Sequence, residues 1–101
     1  MKSVIYGMLQ EEKQRNLEMQ KTYIAEIESL RKGSIKEKLK SGRKYFYLQY
    51  RQGSKVVDDY IGKDEAEVEK VRQEIEKRKY LQGVLTRLRQ EYKEISLIVK
   101  D

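Results

Sequence analysis

Lys36, Lys38, Lys40, Arg43, Tyr45, Tyr47, Arg51 and Tyr60 fall on alternate positions of three short segments between Gly33 and Gly62. On an extended backbone alternate side chains share one face. This spacing therefore gathers cations and phenol rings on a single surface. Lysine and arginine neutralise phosphates, and tyrosine stacks on a base or hydrogen-bonds a backbone. A two- or three-stranded ribbon also fits the ~12 Å major groove of a duplex. The chemistry implied is recognition of a polyanion rather than bond breaking. The charge distribution points the same way. Residues 32–63 hold nine Lys/Arg against three Asp/Glu, whereas residues 1–31 hold five of each and residues 64–101 nine of each. The central segment carries the whole formal net charge of +6.

Other chemistries lack their residues. There is no His and no Cys in the 101 residues. The commonest general base, the commonest metal ligand and thiolate chemistry are all missing. Asp58 and Asp59 are adjacent in a predicted strand, so they point to opposite faces and do not form one acidic site. Asp58 reads instead as a partner for a nearby cation. No glycine-rich loop cradles a phosphate. The expectation is a non-enzymatic protein with no cofactor and no metal. No apolar run approaches the ~20 residues of a membrane span, and no signal segment is evident at the start, so a cytoplasmic location is expected. Charged residues make up 40% of the chain, far above the ~25% of ordinary globular domains. That composition suits long solvated helices.

The elements that position the alternating residues follow from periodicity. The chain reads as one α+β domain, 1–101, in the order α-β-β-β-α: a helix within 1–32, a three-stranded antiparallel meander over 33–62, and a helix over 63–101. The helices are expected to pair antiparallel, as in a coiled coil. In the first, Leu17, Gln20, Ile24, Ile27 and Arg31 recur at steps of three and four. The stretch from Gln10 to Asn16 is wholly polar and predicts a gap in that seam. In the second, Asp64 suits the N-cap, with Glu67 three residues on. A short stripe of Val68, Val71 and Ile75 suits a cover for the sheet. A second stripe, Leu81, Leu85, Leu88, Tyr92, Ile95 and Val99, starts one residue out of phase, so the two halves of this helix should bury different faces. Its apolar content exceeds that of the first helix, so these six residues are expected to pack within the chain or between chains, in the second case as the seam of a homodimer.

Two-residue turns at Ser41-Gly42 and Gln52-Gly53 are the expected hairpin loops. They set Leu39 opposite Lys44, Glu37 opposite Phe46 and Ile35 opposite Leu48. In the second hairpin they set Tyr50 opposite Lys55, Leu48 opposite Val57 and Phe46 opposite Asp59. One face then holds Ile35, Leu39, Phe46, Leu48, Tyr50, Val57 and Ile61 and must pack on a helix. The other holds five cations, three tyrosines and one acid, Asp58.

Through Lys32-Gly33-Ser34-Ile35, the run from Tyr45 to Arg51, Lys55, the segment Tyr60-Ile61-Gly62-Lys63, and Ile75 to Lys79, the chain resembles a group of small proteins of bacteria, phages and other mobile elements. The resemblance covers roughly residues 30–80. More loosely, the same stretch is similar to the arm-type DNA-binding domain of tyrosine recombinases. That likeness implies an exposed sheet face that enters the DNA major groove, with Lys36, Lys38, Arg43, Tyr45, Tyr47 and Arg51 on it. The long flanking helices and the lack of a recombinase catalytic domain depart from that family. The reading favoured is a nucleic-acid-binding module of a phage or mobile element, contacting DNA or RNA, or a ribonucleoprotein, through Lys36, Lys38, Lys40, Arg43, Tyr45, Tyr47, Arg51 and Tyr60. The alternatives are an anti-CRISPR-type inhibitor that binds a nuclease–guide RNA complex, and a coiled-coil adaptor whose sheet binds protein only.

Overall fold

The computed structural model describes residues 3–100; the limits 1 and 101 assigned to the domain lie outside them. The order is α1 (Val4–Ser29), β1 (Ser34–Lys40), β2 (Arg43–Gln52), β3 (Lys55–Gly62) and α2 (Glu65–Ile98). This is the expected α+β chain, two helices flanking a three-stranded antiparallel sheet. Its contacts group into a sheet unit, Leu30–Lys79, and a helical unit made of the chain through Ser29 and from Tyr80 onward.

In the sheet unit the strands lie in the order β1-β2-β3. The first hairpin has the expected register, with Ile35 opposite Leu48, Glu37 opposite Phe46 and Leu39 opposite Lys44. Its turn places Ser41 at φ 51° and Gly42 at φ 77°, two positive values in succession as a type I′ turn requires. The second hairpin corrects the expected register. Gln52 pairs with Lys55, Tyr50 with Val57 and Leu48 with Asp59, so the loop is Gly53-Ser54. The cause is turn chemistry. Both tight hairpin turns demand positive φ at their first central residue. The expected loop would have placed Gln52 there, whereas the structure gives the position to Gly53, at φ 65°. A slip of two residues leaves every side chain on its original face, so the sorting of the faces survives the correction. Beyond Tyr60 the ladder shifts once more: Tyr47 pairs with Tyr60 but Phe46 with Gly62, a bulge that leaves Ile61 extra.

The inner face of the sheet packs on α2. Leu48, on the central strand, is 4% exposed and clusters with Val71 and Ile75, with Ile35, Tyr50 and Ile61 against them. Asp64 caps α2: its carboxylate accepts from the Ala66 amide at 2.9 Å. The chain enters the sheet through Gly33, where a Cβ would overlap the Gln49 carbonyl oxygen, so only glycine fits this approach. Two contacts fix that entry on α2. Arg78 donates to the Leu30 carbonyl at 2.8 Å, and Arg31 pairs with Glu74 at 3.6 Å.

In the helical unit, α1 begins at a Ser3 cap, whose hydroxyl accepts from the Tyr6 amide at 3.1 Å. The stripe of α2 is buried as its spacing predicts: Leu81, Leu85, Leu88 and Val99 are buried, and Tyr92 and Ile95 half-buried. The stripe of α1 differs from expectation in two ways. Arg31 is exposed, and the polar stretch is no gap. Lys13 and Asn16 are buried, at 7% and 2% exposure, and extend the seam as Leu9, Lys13, Asn16, Gln20, Tyr23 and Ile27, in alternating steps of four and three. Each reaches a backbone carbonyl that sequence pattern does not reveal. Asn16 donates to the Leu88 carbonyl at 3.0 Å and accepts from Gln20 at 2.7 Å. The Lys13 ammonium donates to the Val99 carbonyl at 3.1 Å and lies 5.3 Å from the Tyr92 ring centroid. Val99 follows the last residue of α2, where carbonyls lack helical partners and the dipole is negative, so a cation is well placed there. Among the described residues, no helix is long and apolar enough to cross a membrane.

Candidate nucleic-acid interface

The residues singled out in sequence come together on the outer face of the sheet, in rows fixed by the register. Lys40 lies opposite Arg43, Lys38 opposite Tyr45, and Lys36 opposite Tyr47. Tyr47 lies opposite Tyr60, Gln49 opposite Asp58, and Arg51 opposite Val56. β1 therefore supplies a column of lysines and β2 a column of aromatic and basic residues. β3 supplies Val56, Asp58 and Tyr60.

The three tyrosines form a cluster. Tyr60 lies 5.4 Å from Tyr47 and 6.3 Å from Tyr45 between ring centroids, tilted by 58° and 43°. The Gly53-Ser54 turn sets the register of Tyr60 against Tyr47, and the bulge at Ile61 follows it. Because the rings are tilted, none is sandwiched between the others, and Tyr60 remains 59% exposed. Lys38 spans the face: its ammonium lies 4.5 Å from the Tyr47 ring centroid and 3.5 Å from the Asp58 carboxylate. Gln49 holds the other oxygen of Asp58 at 3.1 Å. Asp58 is thus a partner for a cation, as its isolation among basic residues suggests. Lys36, Lys40, Arg43 and Arg51 form no ion pair among the described residues. The face therefore divides its five cations into one tethered and four open.

Two polar residues matter here that the list of candidate contacts omitted. Gln49 and Asp58 tether Lys38, and their signal in the sequence was their place on the outer face. The inner face treats its charges differently. Lys44 pairs with Glu37 at 3.4 Å. Asp59, on the side opposite Asp58, holds the Tyr50 pKa above its ordinary value, chiefly through hydrogen bonding to its carboxylate, with burial and the carboxylate charge acting in the same direction. Among the described residues, no group of three or more acidic side chains is arranged to hold a metal ion. The six residues expected at a dimer seam, Leu81, Leu85, Leu88, Tyr92, Ile95 and Val99, are buried or half-buried within the single chain.

No curated protein and no solved structure matches the chain. Residues 8–73 match the family described as a domain of unknown function, DUF6788, and the chain belongs to that family.

Proposed function

We propose that the protein is a non-enzymatic, cytoplasmic nucleic-acid-binding module of a phage or other mobile element, and that the outer face of its sheet is the contact surface. The observation that carries this reading is the set of open cations, Lys36, Lys40, Arg43 and Arg51, beside a cluster of three tyrosines with one acid among them. Cations held in internal ion pairs are already neutralised; these four remain available to phosphate. Tyrosine adds a ring for stacking and a hydroxyl for the backbone.

Fluorescence anisotropy of labelled oligonucleotides at two salt concentrations tests the reading. Wild type should bind with log affinity falling against log salt at a slope of roughly −3 for four phosphates on a single strand. The variant K36Q/K40Q/R43Q should lose most of that slope while keeping wild-type helicity. Absence of binding at low salt would sink the proposal.

A second reading has its own observation. Val4, Ile5 and Met8 of α1 and Leu97 and Ile98 of α2 are exposed large apolar residues in the helical unit, a feature of protein-contact surfaces. A protein adaptor, or a dimer formed there instead of through the buried α2 seam, would bury them. Light scattering of wild type against I5S/L97S separates self-association from docking of another protein.

A further inference from the structure

Resting on that reading, we infer that the ligand is a single strand, with its phosphate backbone running along β1 and its bases lying on the Tyr45–Tyr60 side of the face. The warrant is the lateral asymmetry of the surface. A reader of the major groove sits between two phosphate backbones and needs cations on both flanks. Here the flanks differ. β1 presents Lys36, Lys38 and Lys40, whereas β3 presents Val56, Asp58 and Tyr60, with no cation among them. A second backbone laid along β3 would meet the Asp58 carboxylate.

The spacing fits one backbone. Alternate residues of an antiparallel strand lie about 6.8 Å apart, comparable with the separation of successive phosphates in an extended single strand. The rings fit the same ligand. A duplex buries the π-faces of its bases in its own stack, so an aromatic cluster at the centre of the contact face has nothing to stack upon. An unpaired strand offers every base face. Tyr47 is covered by the Lys38 ammonium, which leaves Tyr60, exposed at 59%, and its neighbour Tyr45 as the stacking rings. The tether on Lys38 is weak, a half-exposed ion pair at 3.5 Å. Lys38 can exchange Asp58 for a phosphate as a base reaches the ring.

Labelled oligo-dT, oligo-U and a duplex of the same length, titrated with the full chain, provide the test. Both single strands, or one of them if the sugar is discriminated, should bind about tenfold or more tightly than the duplex. Y60L should weaken single-strand binding by about tenfold or more and leave the salt slope unchanged, because stacking releases no counterions. Y60F, which keeps the ring, should restore binding and shows that the sheet tolerates change there. K36Q should do the reverse of Y60L, reducing the slope by about 0.7. Duplex binding equal to or tighter than single-strand binding overturns the inference and leaves the broader reading standing, as does indifference to Y60L. Failure of all three probes removes both.

Discussion

In the helical unit Lys13 and Asn16 are buried, and each reaches a backbone carbonyl. In the sheet unit Lys36, Lys40, Arg43 and Arg51 sit on an open face with no ion pair among the described residues. The same kind of side chain is satisfied in one region and left available in the other. A buried donor without a partner costs about 1–3 kcal/mol, so the helical seam must complete its bonds. A solvated cation costs little to leave open, so its lack of a partner carries no structural benefit and keeps it free for a ligand.

Substitutions test how far the contrast extends. The largest effect should come from the layer beneath the open face. L48A removes the buried centre of the sheet core and should destabilise the protein by about 2–5 kcal/mol in urea unfolding. A value under 1 kcal/mol would show that the sheet does not depend on that cluster. N16A leaves the Leu88 carbonyl and the Gln20 amide without their partner and should cost about 1–3 kcal/mol. If N16A is neutral, water replaces the side chain and the seam is less closed than its 2% exposure implies. D58N frees Lys38 on the outer face. It should change stability by no more than about 0.5 kcal/mol. Under the nucleic-acid reading it should tighten binding and leave the salt slope unchanged, because Lys38 already exchanges Asp58 for a phosphate in the wild-type complex. A slope steeper by about 0.7 would mean that Asp58 keeps Lys38 from phosphate in that complex.

The smallest effect concerns the inner face at high pH. Because the Tyr50 pKa is raised in the folded protein, its contribution to stability is fully present below the ordinary tyrosine pKa of about 10. It is lost as pH rises through the folded value. Thermal melts between pH 8 and 11 should show wild type losing more stability than Y50F at the alkaline end. Parallel curves would remove the Tyr50–Asp59 bond from consideration.

Much of this contrast was legible in the residues. Period-two alternation sorted Lys36, Lys38 and Tyr47 from Ile35 and Leu48 without knowledge of any partner, because strand geometry leaves a side chain only two directions. The register of the second hairpin was not legible from loop length alone. It turned on which residue of Gln52-Gly53-Ser54 takes positive φ. The seam through Lys13 and Asn16 was hidden for another reason. Both residue types normally face water, and the atoms that satisfy them, the Leu88 and Val99 carbonyls, belong to backbone that carries no sequence signature. The tether of Lys38 lay between these cases: Asp58 could be placed on the right face, but which lysine it holds, and the Gln49 hydrogen bond that comes with the corrected pairing, were visible only in the structure.

β1 is also an edge strand, with one row of amide and carbonyl groups unpaired by the sheet. Its three lysines make that edge repel the edge of another copy, so the same charges that suit a phosphate chain keep sheets from zipping together. Under the nucleic-acid reading, a bound polyanion removes that repulsion, and the solubility of the protein should fall to a minimum where added nucleic acid just balances the +6 of the chain.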